Sequence, residues 1–255
     1  MKPNPWVLLV ATLSLCLVAA GAVHSEDPLR AWDPVVATAE IRGSVVLRGE
    51  APPRTPIPVD ERCRVDLAGA QPLTESVVTG KDGALRNVFV RVRQGLERWK
   101  CPGPDRDAVL DQKGCLFVPH VIGLQVGQPL RVRNSDACAH NVHGAPRRNN
   151  EFNFAQPRAG AENFVVFLVP EIGVRLRCDV HRWMGAWICV SDHPFFAVTG
   201  EDGTFRLSGL PPGEYAIETW HETYGTRTAT VSVGEQETRE LRFAYDAGTP
   251  AERQD

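Results

Sequence analysis

The stretch Val174-Arg175-Leu176-Arg177-Cys178-Asp179-Val180-His181-Arg182-Trp183-Met184 joins a strand pattern to a short loop rich in metal-binding side chains. Apolar residues alternate with arginines up to Cys178, so the thiol shares the inward face of the predicted strand. His181 and Met184 follow at spacings of three residues, and Met184 is the only methionine besides the initiator. A thiolate, an imidazole and a thioether in one loop between two strands predict a metal site.

The ligand types indicate which metal this site would bind. One thiolate with imidazoles and a weak axial thioether is the ligand set of a blue-copper electron-transfer site. Zinc normally takes Cys, His and carboxylate ligands, and would not need Met184. A second histidine is available upstream, where the predicted strand 130–133 ends just before His140, and His143 competes with His140 for this role. We therefore predict one copper ion as the cofactor.

The first residues predict export. Lys2 provides a positive start, residues 6–20 an apolar run, and Ala20-Gly21-Ala22 a small-residue cleavage site, which together indicate a signal peptide over residues 1–22. The apolar run is shorter than the ~20 residues of a membrane-spanning helix, although an uncleaved anchor is the alternative. No later segment of the sequence could span a membrane. The expected location is periplasmic or extracellular.

Export permits disulfide bonds among the cysteines. If Cys178 binds metal, five remain after signal cleavage, so at least one more stays outside any disulfide. Cys189 lies in an apolar run and is the expected buried thiol. The other four allow three pairings, of which one joins Cys63 to Cys115 and Cys101 to Cys138.

Composition predicts an all-β protein without affinity for nucleic acids. The formal net charge is −3, and the 28 basic residues are scattered rather than clustered. Short runs of β-branched and apolar residues are punctuated by Gly, Pro, Asn and Asp, which is typical of β-sandwiches. The predicted copper ligands leave no open position for a substrate, so we expect an electron carrier rather than an enzyme.

Residues 111–192 resemble the cupredoxins of the amicyanin and plastocyanin type. The resemblance rests on Gly123-Leu124-Gln125-Val126-Gly127-Gln128, on Val132-Arg133-Asn134-Ser135-Asp136, on His140-Asn141-Val142-His143 and on the loop that contains Cys178, His181 and Met184. It implies a Greek-key sandwich.

The resemblance also implies the roles of individual residues. The first histidine of the His-Asn-Val-His run would be the ligand, which favours His140 over His143, and Asn141 would tie the two ligand loops together. Relatives often have a small hydroxyl residue where this chain has Asp179. Beside the second histidine ligand, Arg182 and Trp183 would lie where redox partners dock, and such a partner would be a cytochrome or a dehydrogenase.

A second resemblance covers the last part of the chain. Residues 198–215, with their Asp202-Gly203 hairpin signal, are similar to the carboxypeptidase regulatory-like (transthyretin-like) β-sandwich. Residues 40–49 and 85–92 look like the opening strands of the same module. An alternative assigns residues 87–92 to the cupredoxin.

The predicted organisation therefore has five parts. They are a signal peptide (1–22), an N-terminal β segment of a split sandwich (38–104), a cupredoxin domain (105–193), a regulatory-like β segment (194–246) and a disordered tail (247–255). The predicted function is that of an exported type 1 copper protein carrying single electrons. The alternatives are a structural or ligand-binding sandwich without metal, and a copper carrier, which the scarcity of methionines disfavours.

Overall fold

The computed structural model describes residues 28–67 and 69–249. The predicted signal peptide lies outside the described residues, as does the end of the predicted tail. Among the described residues, no helix has the length and apolarity needed to cross a bilayer.

Nearly all regular structure in the described ranges is β, which confirms the predicted fold class. The elements in chain order are Arg30–Ala31 (β1), Ala39–Arg48 (β2), Glu61–Asp66 (α1), a 3₁₀ turn at Lys81–Gly83, Phe89–Gln94 (β3), Trp99–Lys100 (β4), Ala108–Gln112 (β5), Phe117–Val118 (β6), Val121–Gln125 (β7), Pro129–Asn134 (β8), His140–Gly144 (β9), Phe152–Gln156 (β10), Glu162–Val166 (β11), Glu171–Arg177 (β12), Gly185–Ser191 (β13), Phe196–Val198 (β14), Thr204–Leu210 (β15), Gly213–His221 (β16), Gly225–Val233 (β17) and Thr238–Asp246 (β18).

The one α-helix among the described residues was not predicted from the sequence. It has six residues, and the carboxylate of Asp60 caps it by accepting a hydrogen bond from the backbone N–H of Cys63. So short a helix shows no apolar periodicity. Only the Asp-Glu pair at its start signals it.

Strands β5 to β13 form the first sandwich. Its sheets have the orders β10-β9-β12-β13-β7 and β11-β8-β5-β6. Alternating side chains of both sheets point inward and form one buried core. The largest members of that core are Leu110, Phe117, Leu124, Leu130, Phe167 and Leu176.

The second sandwich draws its strands from both ends of the described chain. Its sheets have the orders β14-β3-β16-β17 and β15-β2-β18, so β2 and β3 pair with strands that follow the first sandwich in sequence. Strand β3 pairs with β14 and β16, which disagrees with the alternative that assigned this stretch to the first sandwich. The boundaries of the five predicted parts stay a prediction.

The two sandwiches meet at a small apolar junction. Phe89, Val121 and Cys189 are buried there, and the ring of Phe196 lies 5.6 Å from that of Phe89. Gly123 allows this approach, because a Cβ at this position would lie 2.7 Å from the ring of Phe196.

A polar cluster also crosses the junction. His120, just before β7, is hydrogen-bonded through Nε2 to Glu222, which follows β16, and its Nδ1 lies 3.8 Å from Oε2 of Glu75. The indole N–H of Trp187 donates to Glu222 at 2.8 Å. Burial lowers the pKa of His120, but the hydrogen bond to Glu222 and the two carboxylate charges outweigh burial and raise it above 6.5. His221 beside the cluster stays neutral, since burial lowers its pKa to about 4.

We predict that this cluster makes stability depend on pH. Because the folded-state pKa of His120 is raised, its contribution is complete below pH 6.5 and is lost as the pH rises through the folded-state value. His120→Gln should therefore lower the free energy of unfolding by roughly 1.5–3 kcal/mol at low pH, the range for a hydrogen bond to a charged group, and by less at high pH. Urea unfolding at several pH values measures this difference. Glu222→Gln should flatten the same pH dependence, and an unchanged slope would contradict the assignment.

Candidate metal centre

Two neighbouring loops bring three metal-binding side chains to one buried point. His140 begins β9, while Cys178 and His181 lie in the turn between β12 and β13. The Nδ1 atoms of the two histidines are 2.9 Å apart, and Sγ of Cys178 is 4.0 Å from Nδ1 of His181. One donor atom from each residue lies within 4.8 Å of the other two, and all three side chains are buried.

Backbone hydrogen bonds fix the loop that carries Cys178. The N–H of Met184 donates to the carbonyl of His181 at 2.9 Å, and the N–H of Cys178 donates to the carbonyl of Met184 at 3.3 Å. The N–H of His181 points at Sγ of Cys178 from 3.4 Å. Met184 is buried and belongs to the same core cluster as Cys178.

The side-chain amide of Asn141 connects the two loops. Its Oδ1 accepts from the N–H of Asp179 at 2.6 Å, from the N–H of Val180 at 3.3 Å and from the thiol of Cys178 at 3.3 Å. Its Nδ2 donates to the carboxylate of Asp179 at 2.9 Å. One side chain on β9 thus satisfies the backbone of the opposite loop.

The carboxylate of Asp179 is held by polar side chains around it. It contacts His143 at 3.0 Å and Arg177 at 3.0 Å, and the hydrogen bond with His143 is the main reason that its pKa falls to about 2. His143 is also hydrogen-bonded to Glu151 at 2.8 Å. His143 therefore faces a carboxylate pair, whereas His140 faces Cys178 and His181.

Asp136 contacts the site and was missed as a site residue by the sequence reasoning. Its Oδ2 lies 2.9 Å from Nε2 of His140, whereas Nδ1 of the same ring faces His181. This buried carboxylate also accepts from the N–H groups of Gly114 and Cys115, at 2.6 and 2.8 Å. The spacing of four residues before His140 was the one available signal.

The electrostatics of the site shift the pKa values of Cys178 and His140 in opposite directions. Burial raises the pKa of Cys178, but hydrogen bonds from His140 and from backbone N–H groups outweigh burial and lower it. Burial lowers the pKa of His140, while its hydrogen bonds to Asp136 and Cys178 raise it to about 9. A lowered thiol pKa suits a metal ligand, because the thiolate is the form that binds metal.

The cysteines follow the prediction in part. Cys63 and Cys115 form a disulfide, and Cys189 is buried with its pKa raised to about 12 by burial. The structure does not join Cys101 to Cys138, a pairing that the sequence left open. Sγ of Cys101 lies 3.9 Å from the carbonyl of Trp99, whereas Sγ of Cys138 lies 3.4 Å from Sγ of Cys115.

The two predicted docking residues differ in their placement. Arg182 is exposed on the loop surface. Trp183 is half-buried, with its indole N–H donating to the carbonyl of Cys115 at 3.1 Å and its ring 5.0 Å from that of His181. Trp183 therefore packs over the site.

No protein-family model matches the chain, and no curated protein matches it. Solved structures that are similar to part of it include a purple cupredoxin from Nitrosopumilus maritimus, 20% identical, which covers 33% of this chain and 100% of its own with a TM-score of 0.29. A reduced amicyanin mutant is 20% identical over 35% of this chain and 86% of its own, with a TM-score of 0.31. The Cu(I) form of another amicyanin mutant is 16% identical over 40% of this chain and 98% of its own, with a TM-score of 0.30.

We predict that Asn141→Ala weakens the connection between the two loops. The backbone N–H groups of Asp179 and Val180 would lose their acceptor, which should lower the free energy of unfolding by about 1–3 kcal/mol. Urea denaturation measures this change. Asn150→Ala removes the same amide from an exposed position and should change stability by less than about 0.5 kcal/mol. Equal effects of the two substitutions would contradict the role of Asn141.

Proposed function

We propose that the chain is an exported type 1 copper protein that carries single electrons between redox partners. His140, Cys178 and His181 would supply the three strong ligands, and Met184 the weak axial one. The observation that carries this proposal is the convergence of two imidazole nitrogen atoms and one Sγ atom within 4.8 Å at a buried point. One thiolate and two imidazoles fit copper, and a buried methionine in the same loop fits it better than zinc.

The surrounding residues suit electron transfer because they limit movement. Strand ends hold both ligand loops, Asn141 joins them, and backbone N–H groups of Asp179, Val180 and His181 fix the atoms around the thiol. Bound copper would supply the one-electron chemistry by alternating between Cu(II) and Cu(I). A site that keeps its shape in both states needs little rearrangement when it gains or loses the electron.

The test is a visible absorption spectrum of the oxidised protein, without residues 1–22, after addition of one equivalent of Cu(II). An intense thiolate-to-copper band that ascorbate bleaches is the expected result. Cys178→Ser should abolish the band. Cys101→Ser, the same change at a half-buried cysteine outside the ligand group, should leave it intact. A protein that stays colourless with Cu(II), or a Cys178→Ser variant that keeps the band, would overturn the proposal.

Met184→Leu tests the axial position separately. We expect this variant to keep copper and the visible band, because the three strong ligands remain. Its reduction potential should rise, since an apolar side chain replaces a weak donor that stabilises Cu(II). Cyclic voltammetry gives the potential. His143→Gln serves as the control with an unchanged band, and loss of the band in His143→Gln would shift the ligand assignment from His140 to His143.

A further inference from the structure

A segment that connects two strands of the second sandwich covers the metal centre. Residues 56–65, here called the strap, lie between β2 and β3 and include most of α1. Pro56 pairs with Leu73, and the N–H of Ile57 donates to the carbonyl of Pro72 at 2.9 Å, which closes the base of the strap.

Two anchors hold the strap on the first sandwich. Cys63 forms the disulfide with Cys115, and both sulfur atoms lie within 4.8 Å of a ring nitrogen of His181. Val59 packs against the same core cluster that contains Cys178 and Met184. The strap is therefore attached both covalently and by apolar contact.

The strap encloses the outer edge of His181. The imidazole Nε2, the atom that points away from Cys178, lies 3.5 Å from Oδ2 of Asp60. The ring of Trp183 lies 5.0 Å from the His181 ring on another side. Only 4% of His181 is exposed to solvent.

We propose that the strap contributes to the function of the redox centre. It keeps solvent and partner proteins from direct contact with His181, and it places the Asp60 carboxylate where a negative charge favours oxidised over reduced copper. The inference rests on the proposed copper function. Asp60 acts through His181 and is a positioning residue.

The size of the charge effect follows from its surroundings. The side chain of Asp60 is 47% exposed, so solvent screens much of its interaction with the metal position. We expect Asp60 to shift the ratio of Cu(II) to Cu(I) affinities by roughly threefold to tenfold. For one electron, a tenfold shift corresponds to about 59 mV in the reduction potential.

The first experiment measures the reduction potential of the copper-loaded protein. Asp60→Asn removes the charge but keeps a good helix cap, so the strap should stay in place. We expect the reduction potential of Asp60→Asn to rise by up to about 59 mV, which corresponds to the tenfold shift. Glu61→Gln is the matched control, because it removes the same charge from an exposed position one residue further along α1. Equal potentials in both variants would overturn the electrostatic role of Asp60.

The second experiment uses the metal-free protein, so its outcome does not depend on copper binding. Diethyl pyrocarbonate acylates accessible imidazoles, and mass spectrometry of peptides reports the rate at His181. We expect the rate to rise at least tenfold in Cys63→Ala/Cys115→Ala, and in Asp60→Ala, which loses both the helix cap and the contact with His181. If His181 is acylated at an unchanged rate in either folded variant, the strap does not cover His181 and the proposal is overturned. If Cu(II) gives no thiolate band in the unaltered chain while these rates rise, the copper function fails and the cover stands.

Discussion

The centre depends on one polar constraint, which is the amide of Asn141 between two loops. Metal-binding residues on separate loops need a fixed relative position, and packing alone leaves the polar backbone of a turn unsatisfied. Asn141 Oδ1 accepts two backbone N–H groups of the opposite loop as well as the thiol of Cys178. An amide suits this position because it accepts through oxygen and donates through nitrogen at the same time. A carboxylate could not donate to Asp179, and an apolar residue could do neither.

Carboxylates at the outer nitrogens of both histidines complete the electrostatics of the centre. Asp136 lies behind His140 and Asp60 lies behind His181, at 2.9 and 3.5 Å. The two differ in burial: Asp136 is almost fully buried and held by backbone N–H groups, whereas Asp60 is half exposed. Carboxylates that accept from a ligand histidine fix its orientation and raise its basicity. Asp136 therefore acts on the ring orientation of His140, while Asp60 acts mainly through its charge.

Features that depend on residues close together in the sequence could be predicted, whereas contacts between residues far apart in the sequence could not. The residues at alternate positions before Cys178 predicted its inward face correctly, because that signal lies within one strand. The all-β class followed from short strand patterns in the same local way. The strap is different: Asp60 and His181 are far apart in sequence, and neither residue type distinguishes their contact from a surface pair. The cluster of His120 with Glu75 and Glu222 was missed for the same reason. The pairing of the four remaining cysteines stayed open for a related reason, because counting cysteines carries no information on distance.

The strap also links the two sandwiches mechanically. It belongs to the connection between β2 and β3, which lie in the two different sheets of the second sandwich, yet it packs against the core of the first. The Cys63–Cys115 disulfide spans a sequence separation of 52 residues, and in the chain-entropy description a loop of that length is worth about 4 kcal/mol. The disulfide therefore holds a loop of the second sandwich in place over the centre in the first. The cover over the proposed ligand His181 thus comes from a connection of the second sandwich, and this gives a physical reason for the two sandwiches to share one chain.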